Sequence, residues 1–379
     1  MHEQPDRTTP AEEHRTRFAR VRQALGHEGL DGLLCYADAW RTANVRYFTD
    51  FRPVDGINGI EQALLLIPLD AEPTLIVADG TLGYAEEMTG FEVRSFGELD
   101  SLIGRTGAGK RLGLAGAGQI PAVLMARLEQ SSGEVVPTQA LARLKAVKSV
   151  WEVEQLREAA RLTDVGMESI RDCILSGRRY SERDLARAAD ERMIAAGADG
   201  VAFLSMVQSG PRSGYSLALP TDRMVEDGDL VLTDVGARYG NYVADGGRGF
   251  TLGPIRPEIR AIVDASVDAV QAGLEVVRPG ITASELNAAV QQVLVERGYL
   301  EYSAEARGRG TGHGTGMDPE EELPWIGPTN HEVLTEGMVF TLKATINVPG
   351  VGGLRTEHIV HVGASEACVL DHFPERNHW

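Results

Sequence analysis

Residues 229–252 read DLVLTDVGARYGNYVADGGRGFTL. Two apolar runs, LVLTDVGA and NYVADGGRGF, flank a glycine-bearing turn around Arg238–Asn241. That pattern predicts an antiparallel hairpin. Each run carries one aspartate in apolar surroundings, Asp234 and Asp245. A carboxylate buried in a strand is costly unless a cation or a donor stands beside it. Two on facing strands repel each other, so something positive belongs between them: a metal ion, a lysine or arginine, or a cationic substrate.

Outward from that hairpin the pattern repeats. Ser149 is an N-cap candidate for an amphipathic helix running to about Leu175, and Ser181 for a second. A short strand, AFLSMVQSG, and a loop ending in PTDRMVEDGD lead to the aspartate hairpin. After Pro254 come two more helices, EIRAIVDASVDAVQAGLEVV and SELNAAVQQVLVERG, the latter with Ser284 as its expected cap. A Gly-rich stretch, GRGTGHGTGMDPEEELPW, carries His313. It lacks the GK[ST] ending of a phosphate cradle. The chain closes with MVFTLKATINV, the turn PGVGG and LRTEHIVHV, a hairpin with Lys343 on one strand and Glu357 on the other. Residues 149–379 are therefore helices followed by a charged hairpin, twice. Two such hairpins face to face would gather Asp234, Asp245, Lys343 and Glu357, with His313 at the rim, a setting in which pKa values are forced apart.

The N-terminal part reads differently. The first residues, 1–12, are expected to fray, and Glu13–Glu28 has helical spacing. DGLLCYA, QALLLIPL, PTLIVAD and RLGLAG read as strands alternating with helical segments, an α/β pattern. DAWRTANVRYFTDFRPVDGING, rich in aromatics and arginine, reads as loop, strand and loop. With 379 residues and 43% hydrophobic content the chain can build two cored domains. Its formal net charge of −18 argues against nucleic acid or an anionic membrane as partner. No apolar run is long enough to span a bilayer, and the polar start lacks a signal-peptide core. Cys35, Cys173 and Cys368 are scattered without ligand spacing, which reads as small buried hydrophobes in a reducing cytoplasm.

LTDVGARYGNYVADGGRGF, with its aspartates eleven residues apart, resembles the D-x-G…GY-x-x-D-x-x-R-x-F hairpin of the pita-bread enzymes: aminopeptidase P, prolidase, methionine aminopeptidase and the metal-free creatinase. TGHGTGMDPEEELPW resembles that family's GHG-x-G…E-x-P segment, and EGMVFTLKATINV and GGLRTEHIVHV its last two strands. LARLKAVKSVWEVEQLREAA resembles its inter-domain junction. The resemblance implies an α+β protein: an N-terminal creatinase-type α/β domain, residues 1–146, followed by a C-terminal pita-bread domain, residues 147–379. It implies a homodimer in which the N-terminal domain completes the partner's site around a small-molecule substrate.

In metal-dependent members five side chains hold two ions. By resemblance they fall on Asp234, Asp245, His313, Lys343 and Glu357, and the fourth should be a glutamate. A protonated ammonium is no metal ligand. Among three carboxylates its charged form is favoured, so it neutralises the cluster itself. Two family histidines are replaced as well, one by the Leu217–Ala218 region of SGYSLALPTDR and one by Glu320. These departures, and a closing segment like creatinase's, lead to the expectation of a metal-independent enzyme that hydrolyses a C–N bond in a small non-peptide substrate, as creatinase and ectoine hydrolase do. The catalytic candidates are then His313 as general base, Lys343, Glu357, Asp234 and Asp245, and no cofactor is expected. Arg52, with Phe48 and Phe51 as walls, is the candidate for a substrate carboxylate in the partner's site; Tyr215, Glu321 and Arg355 complete the substrate-binding set. The alternatives are an Xaa-Pro peptidase with one residual Mn, Fe or Zn ion on Asp234, Asp245 and Glu357, a lyase on the same scaffold, and a non-catalytic binding protein.

Overall fold

A computed structural model describes residues 4–56, 59–107, 109–131, 133–303 and 308–378. The chain forms two compact units, Thr8–Lys145, and Ala146–Trp379 together with the N-terminal segment through Arg7.

The first unit contains α1 (Ala11–Glu28), β1 (Gly32–Asp38), α2 (Ala43–Arg46), β2 (Asp55–Gly56), β3 (Gly59–Ile60), β4 (Gln62–Pro68), β5 (Thr74–Val77), α3 (Leu82–Glu87), β6 (Glu92–Ser95), α4 (Leu99–Gly107), β7 (Arg111–Ala115), α5 (Ala122–Ser131), β8 (Glu134–Pro137) and α6 (Ala140–Ala146). Six strands make one mixed sheet in the order β6-β5-β4-β1-β7-β8. β1 is central and buried along almost its whole length, as its unbroken apolar run requires of a strand covered on both faces. β4 and β5 pair antiparallel as a hairpin. The aromatic stretch around residue 50 departs from the expected exposed loop. Part of it is helix α2, and Phe48 and Phe51 are core residues, each 1% exposed. Phe48 packs on Phe18 with ring centroids 4.9 Å apart, and Phe51 on Tyr84 at 5.3 Å. Neither ring is offered as a wall; Arg52 beside them is exposed.

The second unit contains α7 (Val150–Leu175), α8 (Glu182–Ala195), β9 (Gly200–Val201), β10 (Met206–Ser209), β11 (Leu230–Val235), β12 (Ala237–Tyr239), β13 (Tyr242–Val243), β14 (Gly246–Thr251), α9 (Pro257–Val276), α10 (Ala283–Glu296), β15 (Gly312–Gly314), β16 (Glu321–Ile326), β17 (Val339–Val348), β18 (Gly352–Val362), β19 (Ala367–Val369) and β20 (Arg376–His378). The repeat read from the sequence is present: α7 and α8 pack together before the first hairpin, α9 and α10 before the second. α9 and α10 share an apolar core with β17 and β18 through Val270, Leu286, Leu342 and Leu354. β11 and β14 of the first hairpin pack against β18 of the second.

Ser149 and Ser181 cap their helices through reciprocal capping boxes with Glu152 and Asp184. α10 starts earlier than expected, with Thr282 as cap and Glu285 closing the box. Thr282 prevails over Ser284 because an acid stands three residues after it, whereas Asn287 follows Ser284. Within the described residues the N-terminal segment is not frayed. Tyr239 Oη donates to Pro5 O, Gln4 Nε2 donates to Glu158 at 3.1 Å, and Arg7 pairs with Asp199. Of the three cysteines only Cys35 is buried.

The first hairpin is not two continuous strands. It breaks at Gly236 and at Ala244–Asp245, so that β11 and β14 lie in one sheet and β12 and β13 in another. A Cβ on Gly236 would lie 2.2 Å from Ala244 O, so only glycine allows the two sides to close at the break. Asp234 ends up in the ladder opposite Gly247, and Asp245 just outside it.

Candidate active site

In the second hairpin Lys343 on β17 is the register partner of Glu357 on β18, and Thr345 of Arg355. Antiparallel partners share a face and alternate residues along a strand return to it, so Lys343, Glu357 and Arg355 stand together. β15 pairs with β17 and sets His313 opposite Thr341 on that same face. The first hairpin supplies Asp234 and Asp245 across the gap. Gly247 lets it approach: a Cβ there would lie 2.8 Å from Glu357 Oε2.

Lys343 Nζ lies 3.5 Å from Glu357 Oε1, and His313 Nε2 lies 3.5 Å from Asp245 Oδ2. Arg355 Nη1 donates to Asp234 Oδ2, and its Nη2 donates to Ser216 O at 2.8 Å. The guanidinium therefore joins the first aspartate to the segment bearing Tyr215, which is 56% exposed. Arg248, one residue from Gly247, reaches main chain and the C-terminal tail rather than the clustered carboxylate groups. It binds Asp371 at 2.6 Å, the carbonyl of Phe373 and the backbone carbonyl of Glu357, tying the C-terminal tail to the strand that bears Glu357.

Burial is the first cause of the electrostatics here. It pushes the Asp245 carboxyl well above its usual value, and the negative charges of Glu357 and Asp234 push it further. Glu357 is raised in the same way, by burial and then by Asp234. Lys343 and Arg355 oppose both shifts without cancelling them. Burial works against the charge of Arg355, but its three acidic neighbours outweigh it and hold the guanidinium protonated. His313 goes the other way: burial, then Lys343, drive its pKa well below the ordinary imidazole value. The candidate general base is therefore a neutral imidazole near pH 7. Its Nδ1 lies 3.1 Å from Gly314 O, a pure acceptor, so Nδ1 carries the hydrogen and Nε2 a lone pair.

The donor set fits one divalent ion. Asp234, Asp245 and Glu357 each bring a carboxylate oxygen to within 4.8 Å of the others. Asp234 Oδ1 and both Glu357 oxygens are buried without a hydrogen-bond partner. Converging, unsatisfied anionic oxygens are the donors a hard cation takes. A second ion does not fit in the same way, because the amine of Lys343 stands where the resemblance puts a fourth carboxylate.

The remaining expected residues are more dispersed. Glu321 is in a buried ion pair with Lys148 at 2.9 Å and accepts from Met317 N at 3.1 Å, so the fold already uses its charge. Arg52 and Phe48 belong to the other unit. The sequence places Glu320 where the resemblance expects a histidine but not among the site candidates; its Oε1 lies 3.9 Å from His313 Nε2. Its only signal was its place in the motif, seven residues after His313.

Comparison with known proteins agrees with this geometry. Residues 154–364 match the model of metallopeptidase family M24, and residues 17–147 match the creatinase/prolidase N-terminal domain. A protein of Mycobacterium tuberculosis named "Probable dipeptidase PepE" is 31% identical over 96% of both chains. The Xaa-Pro dipeptidase of Pyrococcus furiosus is 28% identical over 84% of this chain and 88% of its own. The crystal structure of dipeptidase PepE from Mycobacterium ulcerans superposes with a TM-score of 0.86 at 27% identity, covering 99% of each chain. A metallopeptidase family and relatives named as dipeptidases correct the expectation of a metal-independent enzyme for a non-peptide substrate, and with it the expectation of no cofactor. The error lay in taking the loss of one ligand as the loss of the metal: three carboxylates still converge. The chain is an α+β pita-bread hydrolase with a creatinase-type N-terminal domain, and it belongs to metallopeptidase family M24.

Proposed function

We propose that the chain is an Xaa-Pro dipeptidase or aminopeptidase working with one divalent ion, Mn, Fe or Zn, held by Asp234, Asp245 and Glu357. The observation that carries the reading is the convergence of carboxylate oxygens from those three residues, with Asp234 Oδ1 and both Glu357 oxygens lacking a hydrogen-bond partner. Charge supports it. Exchanging a glutamate for Lys343 raises the local charge by two units, the charge of one divalent ion, so a one-ion site with lysine is balanced like a two-ion site without it. When bound, such an ion polarises a carbonyl and lowers the pKa of water. The chain's own groups do the rest. Lys343, held beside Glu357, donates to the carbonyl oxygen of the scissile bond as negative charge develops there. Arg355 fixes Asp234, and His313 contributes a lone pair. Water adds OH to the carbonyl carbon and its other hydrogen goes to the leaving amine.

The test is metal content by elemental mass spectrometry after dialysis against manganese, with hydrolysis of Xaa-Pro dipeptides followed in parallel. About one equivalent per chain is expected, with cleavage lost to a chelator and restored by metal. A chain that binds no metal and cleaves none of these peptides overturns the reading. Metal binding should also release protons. Asp245 and Glu357 hold protons at pH values where ordinary carboxylates do not, and both must lose them to ligate. Affinity should therefore fall as pH is lowered, starting above the usual carboxylate range. Calorimetry in two buffers of different ionisation enthalpy measures the release; identical heats would contradict it.

The proposal extends to a homodimer in which Arg52, exposed beside the buried Phe51, takes the substrate carboxylate in the partner's site. Arg52→Ala should raise KM about tenfold or more with little change in kcat, the result of losing a charge-assisted pair. A fall in kcat at constant KM would place Arg52 elsewhere.

A further inference from the structure

The C-terminal tail joins the two hairpins that carry the acidic cluster. It starts on β18, where Leu370 N donates to Ile359 O at 2.9 Å and Asp371 Oδ1 accepts from Ile359 N at 2.8 Å. It ends on β14, where β20 pairs in parallel with Arg376 in register with Gly249. The residues between are a strap from the strand of Glu357 to the strand opposite Asp234. Arg248 of β14 ties into it. Its Nη1 donates to Gly247 O and to Glu357 O, one carbonyl from each hairpin, and its Nη2 to Asp371 Oδ2 at 2.6 Å. Charges then alternate outward. His358 lies between two carboxylates, Nδ1 2.7 Å from Asp371 Oδ2 and Nε2 2.8 Å from Glu375 Oε1. A carboxylate only accepts, so both ring nitrogens donate and the imidazole is charged. Burial works against the charge of Asp371, but His358 and Arg248 outweigh it and hold the carboxyl far below its usual value.

We propose that Asp371 is a positioning residue for the metal site: by holding Arg248 and β18 together it fixes how closely Glu357 approaches Asp234 and Asp245, and so sets the affinity for the ion. The proposal rests on the one-ion reading and names what keeps its donors within reach of one another. Without metal the three carboxylates repel, and the repulsion works to part β18 from the first hairpin. Inside the cluster Arg355 resists it by donating to Asp234. Outside the cluster Arg248 resists it by holding the backbone carbonyl of Glu357 itself. A buried guanidinium needs an anion, and Asp371 supplies it. The same carboxylate holds His358 and Ile359 N, the two residues that follow Glu357. Glu357 is thus gripped at its own carbonyl and at the next two positions. Groups that orient metal ligands in this way change affinity by about ten- to a hundredfold when lost. The parts lie in two short stretches, EHI on β18 and DHFPER in the tail.

The experiment measures manganese binding by calorimetry for the parent, Asp371→Asn and Arg376→Ala, at a temperature where circular dichroism shows each of them folded. Arg376 holds the same tail to α9 through Asp264 and Asp268, so its loss loosens the tail without touching Arg248. Asp371→Asn should weaken binding by about ten- to a hundredfold, and Arg376→Ala should stay within about twofold of the parent even if it melts lower. At saturating manganese Asp371→Asn should cleave Ala-Pro with kcat within about threefold of the parent, because mass action refills the site. Unchanged affinity in Asp371→Asn, or equal weakening in the two variants, overturns the proposal, and so does a low kcat with the site full. If Asp371→Asn does not fold, Glu375→Gln at the outer end of the charge chain decides. It should weaken binding about threefold, since each charge polarises the next, and no change overturns the proposal. If the parent binds no manganese, the metal reading falls on its own. Crystal structures of the parent and Asp371→Asn then decide the positioning. The carboxylate oxygens that lie within 4.8 Å of one another should stand farther apart in the variant; an unchanged cluster overturns it.

Discussion

Glu357→Gln is expected to lower kcat/KM on an Xaa-Pro dipeptide by about a thousandfold. A bound divalent ion supplies several kcal/mol of transition-state stabilisation, and about 4 kcal/mol corresponds to that factor. Glu357 is fully buried and contributes two of the unsatisfied oxygens in the donor set, so its loss removes more of the site than any other single change. Stability should move the other way. The folded-state pKa of Glu357 and of Asp245 lies above the ordinary value, so the metal-free fold binds more protons than the unfolded chain in that window. Two raised carboxylates therefore cost the metal-free protein stability at neutral pH, and the cost is relieved as pH falls through their raised values. Removing one of the charges should leave the metal-free variant melting no lower than the metal-free parent at pH 7. Thermal melts with and without manganese show both effects. A variant that keeps its metal and activity would remove Glu357 from the donor set. One that loses activity only because it unfolds would show a reduced melting temperature without metal.

Lys343→Glu is the second large effect, and here stability and metal content move together. The substitution completes the five-residue set that the resemblance places on Asp234, Asp245, His313, position 343 and Glu357, so stoichiometry should rise from one ion per chain to two. Without metal it sets a fourth carboxylate beside three that already repel. Breaking a buried charge pair costs roughly 3–5 kcal/mol, and Glu357 loses its cross-strand ammonium in the process. The metal-free variant should melt far below the parent. Manganese at about a thousand times its dissociation constant returns about 4 kcal/mol, nearly the whole loss. A metal-free variant as stable as the parent, or one that still holds a single ion when saturated, would show that Lys343 does not stand in for the second ion.

Much of this molecule is legible from its residues. The helix–helix–hairpin repeat follows from periodicity and from Ser149 and Ser181, because a capping box is a local device complete within four residues. Thr282 was missed by two positions for the same local reason, an acid overlooked at Glu285. The cross-strand pair of Lys343 and Glu357 is also readable, since a short turn fixes the register of a hairpin and the register fixes the face. Phe48 and Phe51 misled because an aromatic next to an arginine reads equally well as a binding wall or a core residue. Only their packing on Phe18 and Tyr84 decides.

The sequence by itself determined the fold class, the two hairpins and the five positions that meet between them. What only the tertiary structure decided was the state and use of each group. His313 titrates well below neutrality because burial withdraws water from it and Lys343 adds like charge, neither of which has a sequence signature. Glu321 is consumed by Lys148, far away in the chain, while its neighbour Glu320 reaches toward His313. Asp234 is held by Arg355 across two hairpins, and three carboxylates keep converging oxygens although a fourth ligand is gone. Local pattern sets which residues share a face. Desolvation and charge depend on everything within a few ångströms, and that neighbourhood is assembled from segments more than a hundred residues apart.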